Sequence, residues 1–318
     1  MTTAGEPAVE LRAVAKSYDT FQAVQPLDLV VPRGSTYGLL GPNGAGKTTT
    51  IRMIMRILPP DRGDILILGQ PLSQKGLDRI GYLPEERGVY KRMKVRALLS
   101  FFGELKGVRA RDSRARIDQW LERLDLADRA DAPLQELSKG MQQKVQFIGA
   151  ILHEPDIVIL DEPFSGLDPI NQRVLREIIT DLRQAGRTLI FSTHIIEHAE
   201  RLCDHVCIIA RGTKVADGSL ADVKRRHGAE YVWIRVDGSS PDLAPRLKRN
   251  ADVEQIREQG SELEVALAAG ADPQRLLEEL VREGVQLRRF EVTEPSLEQI
   301  FIERVGAIRS FEEDGSRV

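Results

Sequence analysis

"GPNGAGKTTT", residues 41–50, decides how this chain is read. It has the form Gly41-x-x-x-x-Gly46-Lys47-Thr48, the phosphate-loop pattern. "STYGLLG" before it is apolar and strand-like. "TTTIRMIMRIL" after it spaces Ile51, Ile54 and Leu58 as a helix does. The glycines therefore fall between a strand and a helix start. Glycine lets the backbone curl so that its N–H groups point inward at phosphate oxygens. The helix N-terminus adds partial positive charge. On this reading Lys47 reaches the β- and γ-phosphates of a nucleoside triphosphate, and the Thr48 hydroxyl ligates Mg²⁺. The competing reading is a glycine-rich turn with no ligand, and the motif alone says nothing of purpose.

Two later stretches supply the purpose. "DIVILDEPFSGLDP", residues 156–169, runs through four aliphatics to Asp161 and Glu162. Consecutive apolar residues suit a strand buried on both faces of a parallel sheet. Carboxylates at the end of such a strand sit where α/β sheets bind ligands. Asp161 is expected to hold Mg²⁺, and Glu162 to orient and polarise the attacking water. "LSKGMQQKVQFIGAIL", residues 137–152, begins with Ser138 as a helix N-cap and continues with apolar Val145, Ile148 and Leu152. A hydroxyl, a cation and a glycine (Ser138, Lys139 and Gly140) make a second phosphate-facing helix end. An ordinary capped helix would read the same way in isolation.

The order of these stretches resembles the ATP-binding-cassette (ABC) ATPases. Their signature Leu-Ser-Gly-Gly-Gln is here Leu-Ser-Lys-Gly-Met, with Lys139 for glycine and Met141 for glutamine. The resemblance covers residues 8–228 and implies several roles. The loop Gly41, Pro42, Asn43, Gly44, Ala45, Gly46, Lys47, Thr48 and Thr49 would wrap the phosphates of ATP. Tyr18, in "KSYDTFQAV", matches the aromatic that stacks on adenine. Glu85, in "IGYLPEERGVY", stands where most members carry a glutamine that meets Mg²⁺. Asp168, in Gly166-Leu167-Asp168, matches the loop that crosses to a partner subunit. His194, in "LIFSTHIIEHAERLCD", matches the histidine that senses the γ-phosphate. Ser138 and Gly140 would serve a second nucleotide, so two subunits, either two copies or this chain and a related one, would pair head to tail around two ATP.

The implied fold is α/β: a P-loop NTPase with a RecA-like core, an antiparallel β subdomain and a helical subdomain inserted at about residues 88–150. The apolar alternation of Val9, Leu11 and Ala13, and of Leu27, Leu29 and Val31, fits the β part. Val95, Leu98, Leu99, Phe102, Ile117, Trp120, Leu121 and Leu124 fit the helical arm. After residue 228 the pattern becomes β-α-β-β-α-β, which suits a small ferredoxin-like domain over 229–318 with a disordered tail from about 309. One face of its sheet is expected to be free for a partner. This part resembles the accessory domain of bacterial export ATPases of the sodium-export and drug-resistance types.

Composition narrows the function. A net charge of −3 with both signs interspersed gives no pointer to nucleic acid. The two cysteines, Cys203 and Cys207, read as packed free thiols in a disulfide-free cytoplasmic protein. No stretch approaches the roughly 20 apolar residues of a membrane span. The expectation is a Mg²⁺-dependent ATPase subunit that drives export through separate integral-membrane permease subunits, at the cytoplasmic face of the plasma membrane. The alternatives are a soluble ABC ATPase outside transport and the energising subunit of an importer.

Overall fold

The computed structural model describes residues 6–86, 90–227, 231–236, 242–268 and 270–315. β1 (Val9–Tyr18) and β2 (Phe21–Val31) pair across the turn Asp19-Thr20, with Tyr18 opposite Phe21. Asp19 takes the left-handed conformation, φ 49°, that tight hairpins favour. The expected alternation holds at Val9 and Leu11 and then breaks. Ala13 is exposed at φ 49°, and Val14 takes over the buried side. A bulge is the cause, since the pairing of β1 shifts register there. β3 (Thr36–Leu40) enters a second sheet, and α1 (Lys47–Ile54) follows the glycine loop. α1 stops short of Leu58 because the chain reverses through Arg56 at φ 55°. β4 (Arg62–Ile67) and β5 (Gln70–Pro71) complete a four-stranded antiparallel sheet in the order β2-β1-β4-β5.

The second sheet positions the site. α2 (Gln74–Leu77) leads to β6 (Ile80–Leu83). The helical insertion follows as α3 (Val95–Leu105), α4 (Ala110–Arg123) and α5 (Lys139–Ile151). Its expected start near residue 88 lies outside the described residues. Next come β7 (Ile157–Asp161), α6 (Pro169–Gln184), β8 (Thr188–Thr193), α7 (Ile196–Leu202), β9 (His205–Ala210) and β10 (Thr213–Ser219). The strand order is β10-β9-β3-β8-β7-β6, parallel except for β10. Every residue of β3, β7 and β8 is buried, as their aliphatic runs require. Leu40 pairs with Thr193, and Asp161 with Ser192. Three parallel neighbours therefore end on one edge, and the loops that follow them open onto one crevice. α5 packs closely on β6: a Cβ on Gly81 would lie 2.1 Å from the Ala150 carbonyl oxygen. Phe102 of α3 also packs on Gly149 of α5, where a Cβ would lie 2.6 Å from the ring.

The chain forms two compact units, Met1–Ser219 and Leu220–Val318. The expected boundary, at residue 228, lies outside the described residues. The division falls earlier because α8 (Leu220–His227) belongs with the second unit and contacts its last helix. β11 (Tyr231–Val236), α9 (Leu243–Leu247), β12 (Val253–Gln259), β13 (Glu262–Leu267), α10 (Pro273–Arg282) and β14 (Leu287–Thr293) give the β-α-β-β-α-β order. Their antiparallel sheet, β12-β13-β11-β14, is ferredoxin-like. α11 (Leu297–Gly315) closes the unit. The tail expected to be disordered from about residue 309 continues α11 as far as Gly315.

One face of that sheet packs Val232, Ile234, Val265 and Leu267 against Leu243 and Leu247 of α9 and Leu276 and Leu280 of α10. The opposite face is not free where Tyr231 and Glu264 lie. α11 covers it there: Tyr231 Oη donates to Glu303 Oε1 at 2.8 Å, and Gln299 Nε2 donates to Glu264 Oε1. The other Glu264 oxygen has no partner, and burial raises this carboxyl's pKa above 4.5. A raised carboxyl pKa favours the neutral form in the folded state. Stability is therefore lost as pH rises from the unfolded value through the folded one. Glu264→Gln keeps an acceptor for Gln299 and removes the charge. The variant should melt higher than wild type at about pH 8, and the difference should close near about pH 4. Equal melting temperatures at the higher pH would contradict the buried-charge account.

Candidate nucleotide site

The loop before α1 is built for close approach. A Cβ on Gly41 would lie 2.2 Å from the Ile209 carbonyl oxygen. Gly46, at φ 106°, would put a Cβ 2.5 Å from the Ala23 carbonyl oxygen. Gly46 is also the N-cap of α1 and caps it with no side chain. The first turn of α1 thus has the character of an anion site. Lys47 is 6% exposed. Its Nζ donates to the carbonyls of Gly41 at 2.8 Å and Pro42 at 3.2 Å, and lies 3.6 Å from Glu162 Oε1. Burial pulls the Lys47 pKa down, and the Glu162 carboxylate opposes that shift.

The paired acids leave β7 together. Asp161 is 1% exposed and Glu162 8%. Ser192 Oγ donates to Asp161 Oδ1 at 2.5 Å and accepts the Glu162 N–H at 2.9 Å. Thr48 Oγ1 lies 3.3 Å from the same Asp161 oxygen. His194 Nδ1 is 3.1 Å from Glu162 Oε2. Burial raises the Asp161 pKa, against the hydrogen bonds from Ser192 and Thr48. Asp161 Oδ2 is buried with no hydrogen-bond partner. That oxygen and the Thr48 hydroxyl are hard donors of the kind Mg²⁺ takes. No group of three or more His, Cys, Asp or Glu among the described residues could hold a metal alone. A cation here would therefore complete its shell with oxygens from a ligand or water, as Mg²⁺ does beside phosphates.

A cleft of about 770 Å³ opens over the loop. It is lined by Tyr18, Asn43, Gly44, Ala45, Gly46, Lys47, Thr48, Thr49, Glu85 and Glu162. Two lining residues were not anticipated, Phe21 and Ala23. Phe21 is 59% exposed and Tyr18 41%, so two aromatic rings stand at the lip. The signal for Phe21 is the short turn that pairs it with Tyr18. Ser192 was also missed; its only sequence signal is its place two residues before His194.

The second helix end lies apart from these lining residues. Ser138 Oγ accepts the Met141 N–H at 3.3 Å, so it is the N-cap of α5. Lys139 and Gly140 follow it. A Cβ on Gly140 would lie 3.5 Å from Leu167 and 3.7 Å from Asn171. Asp168 caps α6 through the Asn171 N–H at 2.9 Å, the first cause of its lowered pKa. Ser138, Lys139, Gly140 and Asp168 thus belong to adjoining helix starts. Cys203 and Cys207 are buried free thiols. No helix among the described residues is long and apolar enough to cross a membrane.

Comparison with known proteins agrees with this geometry. The family model described as ABC transporter matches residues 24–165. A second, described as ATP-binding protein DrrA1-3-like, C-terminal domain, matches residues 218–305. The ABC transporter ATP-binding protein YhaQ of Bacillus subtilis is 42% identical over 295 residues, covering 93% of this chain and 97% of that one. The Nod factor export ATP-binding protein I of Paraburkholderia xenovorans is 39% identical over 253 residues, covering 77% and 83%. A solved ATP-binding subunit of an ABC transporter superimposes with a TM-score of 0.65 at 33% identity, covering 69% of this chain and 92% of that one. With its phosphate loop, its paired acids and these relatives, the chain belongs to the ATP-binding subunits of ABC transporters.

Proposed function

We propose that this subunit hydrolyses ATP with Glu162 as general base, and that two copies close around two ATP to drive export through separate membrane permeases. The observation that supports the chemistry most directly is the convergence of the three loops after β3, β7 and β8. It sets Lys47 and His194 on either side of the Glu162 carboxylate, at 3.6 and 3.1 Å. Glu162 takes a proton from water, the water oxygen attacks the γ-phosphorus, and the bond to the β–γ bridging oxygen breaks to leave ADP and phosphate. Lys47 exchanges the Gly41 and Pro42 carbonyls for phosphate oxygens. Mg²⁺, when bound, neutralises charge on the phosphates. Thr48 and Asp161 would hold it, and Glu85, which lines the cleft, would join them. Tyr18 stacks on adenine. Ser138, Lys139, Gly140 and Asp168 face the nucleotide of the partner copy. The export reading is supported by the likeness to the Nod factor export ATP-binding protein and by the DrrA-like match of the second unit. It places the subunit against permeases at the cytoplasmic face of the plasma membrane, with no role in nucleic-acid binding.

Glu162→Gln should leave ATP binding intact and lower turnover by at least about 100-fold, because only the base is lost. Lys47→Ala should instead weaken ATP binding by about tenfold or more, through loss of a charged hydrogen bond. Near wild-type hydrolysis by the Glu162 variant would refute the assignment.

Glu85 tests how the site meets the permease. Glu85→Gln should be tolerated, since an amide oxygen also ligates a hard cation. Glu85→Ala should uncouple hydrolysis from transport in reconstituted vesicles. Equal transport per ATP by Glu85→Ala and wild type would exclude the role.

The second unit is assigned to stabilising or regulating the ATPase dimer. A chain ending at Ser219 should fold and bind MgATP with similar affinity, while the lifetime of the ATP-bound dimer changes. Loss of ATP binding in a truncated chain with a normal melting transition would show that the second unit belongs to the nucleotide site.

A further inference from the structure

Ser192 stands between the two acids of the hydrolytic pair, and nothing in the reaction above uses it. It lies on β8 with 0% exposure, directly opposite Asp161 in the strand register. Its hydroxyl works twice. As donor it gives its one proton to Asp161 Oδ1 at 2.5 Å. As acceptor it takes the Glu162 N–H at 2.9 Å. A serine hydroxyl has one donor and two lone pairs, so both bonds can be held at once. The neighbouring hydroxyl is engaged elsewhere: Thr193 Oγ1 accepts the Ile195 N–H at 3.0 Å.

Each bond has a consequence for one acid. Ser192 and Thr48 both approach Oδ1 of Asp161, which leaves Oδ2 as its buried oxygen without a partner. The carboxylate is thereby held with one oxygen engaged and one available. Glu162 leaves the strand at φ 48°, a left-handed conformation that non-glycine residues seldom adopt. Its amide is fixed in that turn by the Ser192 oxygen. The turn carries the Glu162 side chain away from the course that strand alternation would give it, toward Lys47 and His194.

The structure assigns to Ser192 the role of the positioning residue that gives two adjacent acids different tasks. Its proton fixes Asp161 with a free oxygen for the metal, and its lone pair fixes the backbone that aims Glu162 at water. This assignment rests on the hydrolysis reading above.

The test uses the full chain with Ser192→Ala and Ser192→Cys. Cysteine nearly keeps the volume and replaces the hydroxyl with a weak donor, so it decides the matter if the alanine variant fails to fold. Two quantities are measured. The first is the free Mg²⁺ that gives half-maximal ATP hydrolysis. The second involves no turnover: the affinity for a fluorescent ATP analogue in EDTA and in saturating Mg²⁺. Losing a hydrogen bond to a charged group should raise the Mg²⁺ requirement by about tenfold and lower kcat by a similar factor. The gain in analogue affinity on adding Mg²⁺ should shrink by about the same factor, while affinity in EDTA stays within about twofold. A folded variant whose Mg²⁺ response and Mg²⁺-linked affinity match wild type would overturn the role of Ser192 alone. A wild-type chain with no Mg²⁺-dependent hydrolysis would overturn the hydrolysis reading and this role with it.

Discussion

Two neighbouring carboxylates must be held out of water at the end of a fully buried strand, and the rest of the site answers that demand. Taking one ion from water into a protein interior costs several kcal/mol even after relaxation. Asp161 and Glu162 are almost wholly buried. Each therefore needs donors, and the fold brings them from different directions. α1 supplies Lys47 and Thr48, β8 supplies Ser192, and the turn after β8 supplies His194. The parallel order in which β8 lies between β3 and β7 delivers all four to one place. The sheet topology and the electrostatics of the acids are the same constraint seen at two scales.

That constraint also explains the state of Lys47. It is buried, and its pKa is drawn down, yet it keeps the Glu162 carboxylate within 3.6 Å. Two loop carbonyls accept hydrogen bonds from its ammonium group. A buried cation and anion that face each other are tolerable together, and either alone is costly. The site is thus held together by its own charges in a form that phosphate oxygens can enter, since they offer Lys47 the same kind of acceptor as the carbonyls.

Much of this was legible in the sequence, because phosphate loops and buried strands depend on local chemistry. Glycine spacing marks the loop, and four aliphatics before Asp161 mark the strand. Residues whose role comes from register were not legible. Ser192 is one serine at the end of an aliphatic run, and only its pairing with Asp161 makes it special. Phe21 becomes part of the cleft because a two-residue turn sets it beside Tyr18. Ala13 fits the alternation of its strand until a bulge turns it outward. The covering of the second sheet by α11 was hidden for the same reason. Gln299 and Glu303 read as ordinary polar positions on a helix until Glu264 and Tyr231 are placed beneath them.

The two helix ends show how far one chain goes toward a complete site. α1 begins at a glycine loop with the character of an anion site, and its cleft gathers Glu162 and the aromatic lip. α5 begins at Ser138, capped by its own hydroxyl, with Gly140 beside Leu167 and Asn171. Gly140 could accept a Cβ without collision, at 3.5 and 3.7 Å, so internal packing does not require glycine there. The contrast with Gly41 and Gly46 is instructive, since those two are forced by the fold itself. A glycine that the fold does not need leaves the backbone open to close approach from outside the chain. In the proposed dimer, a phosphate held by the other subunit would make that approach, at a helix N-terminus next to Ser138. In the proposed dimer, the surface that α5 and the Asp168 turn share would be half of a site whose other half is the cleft over α1.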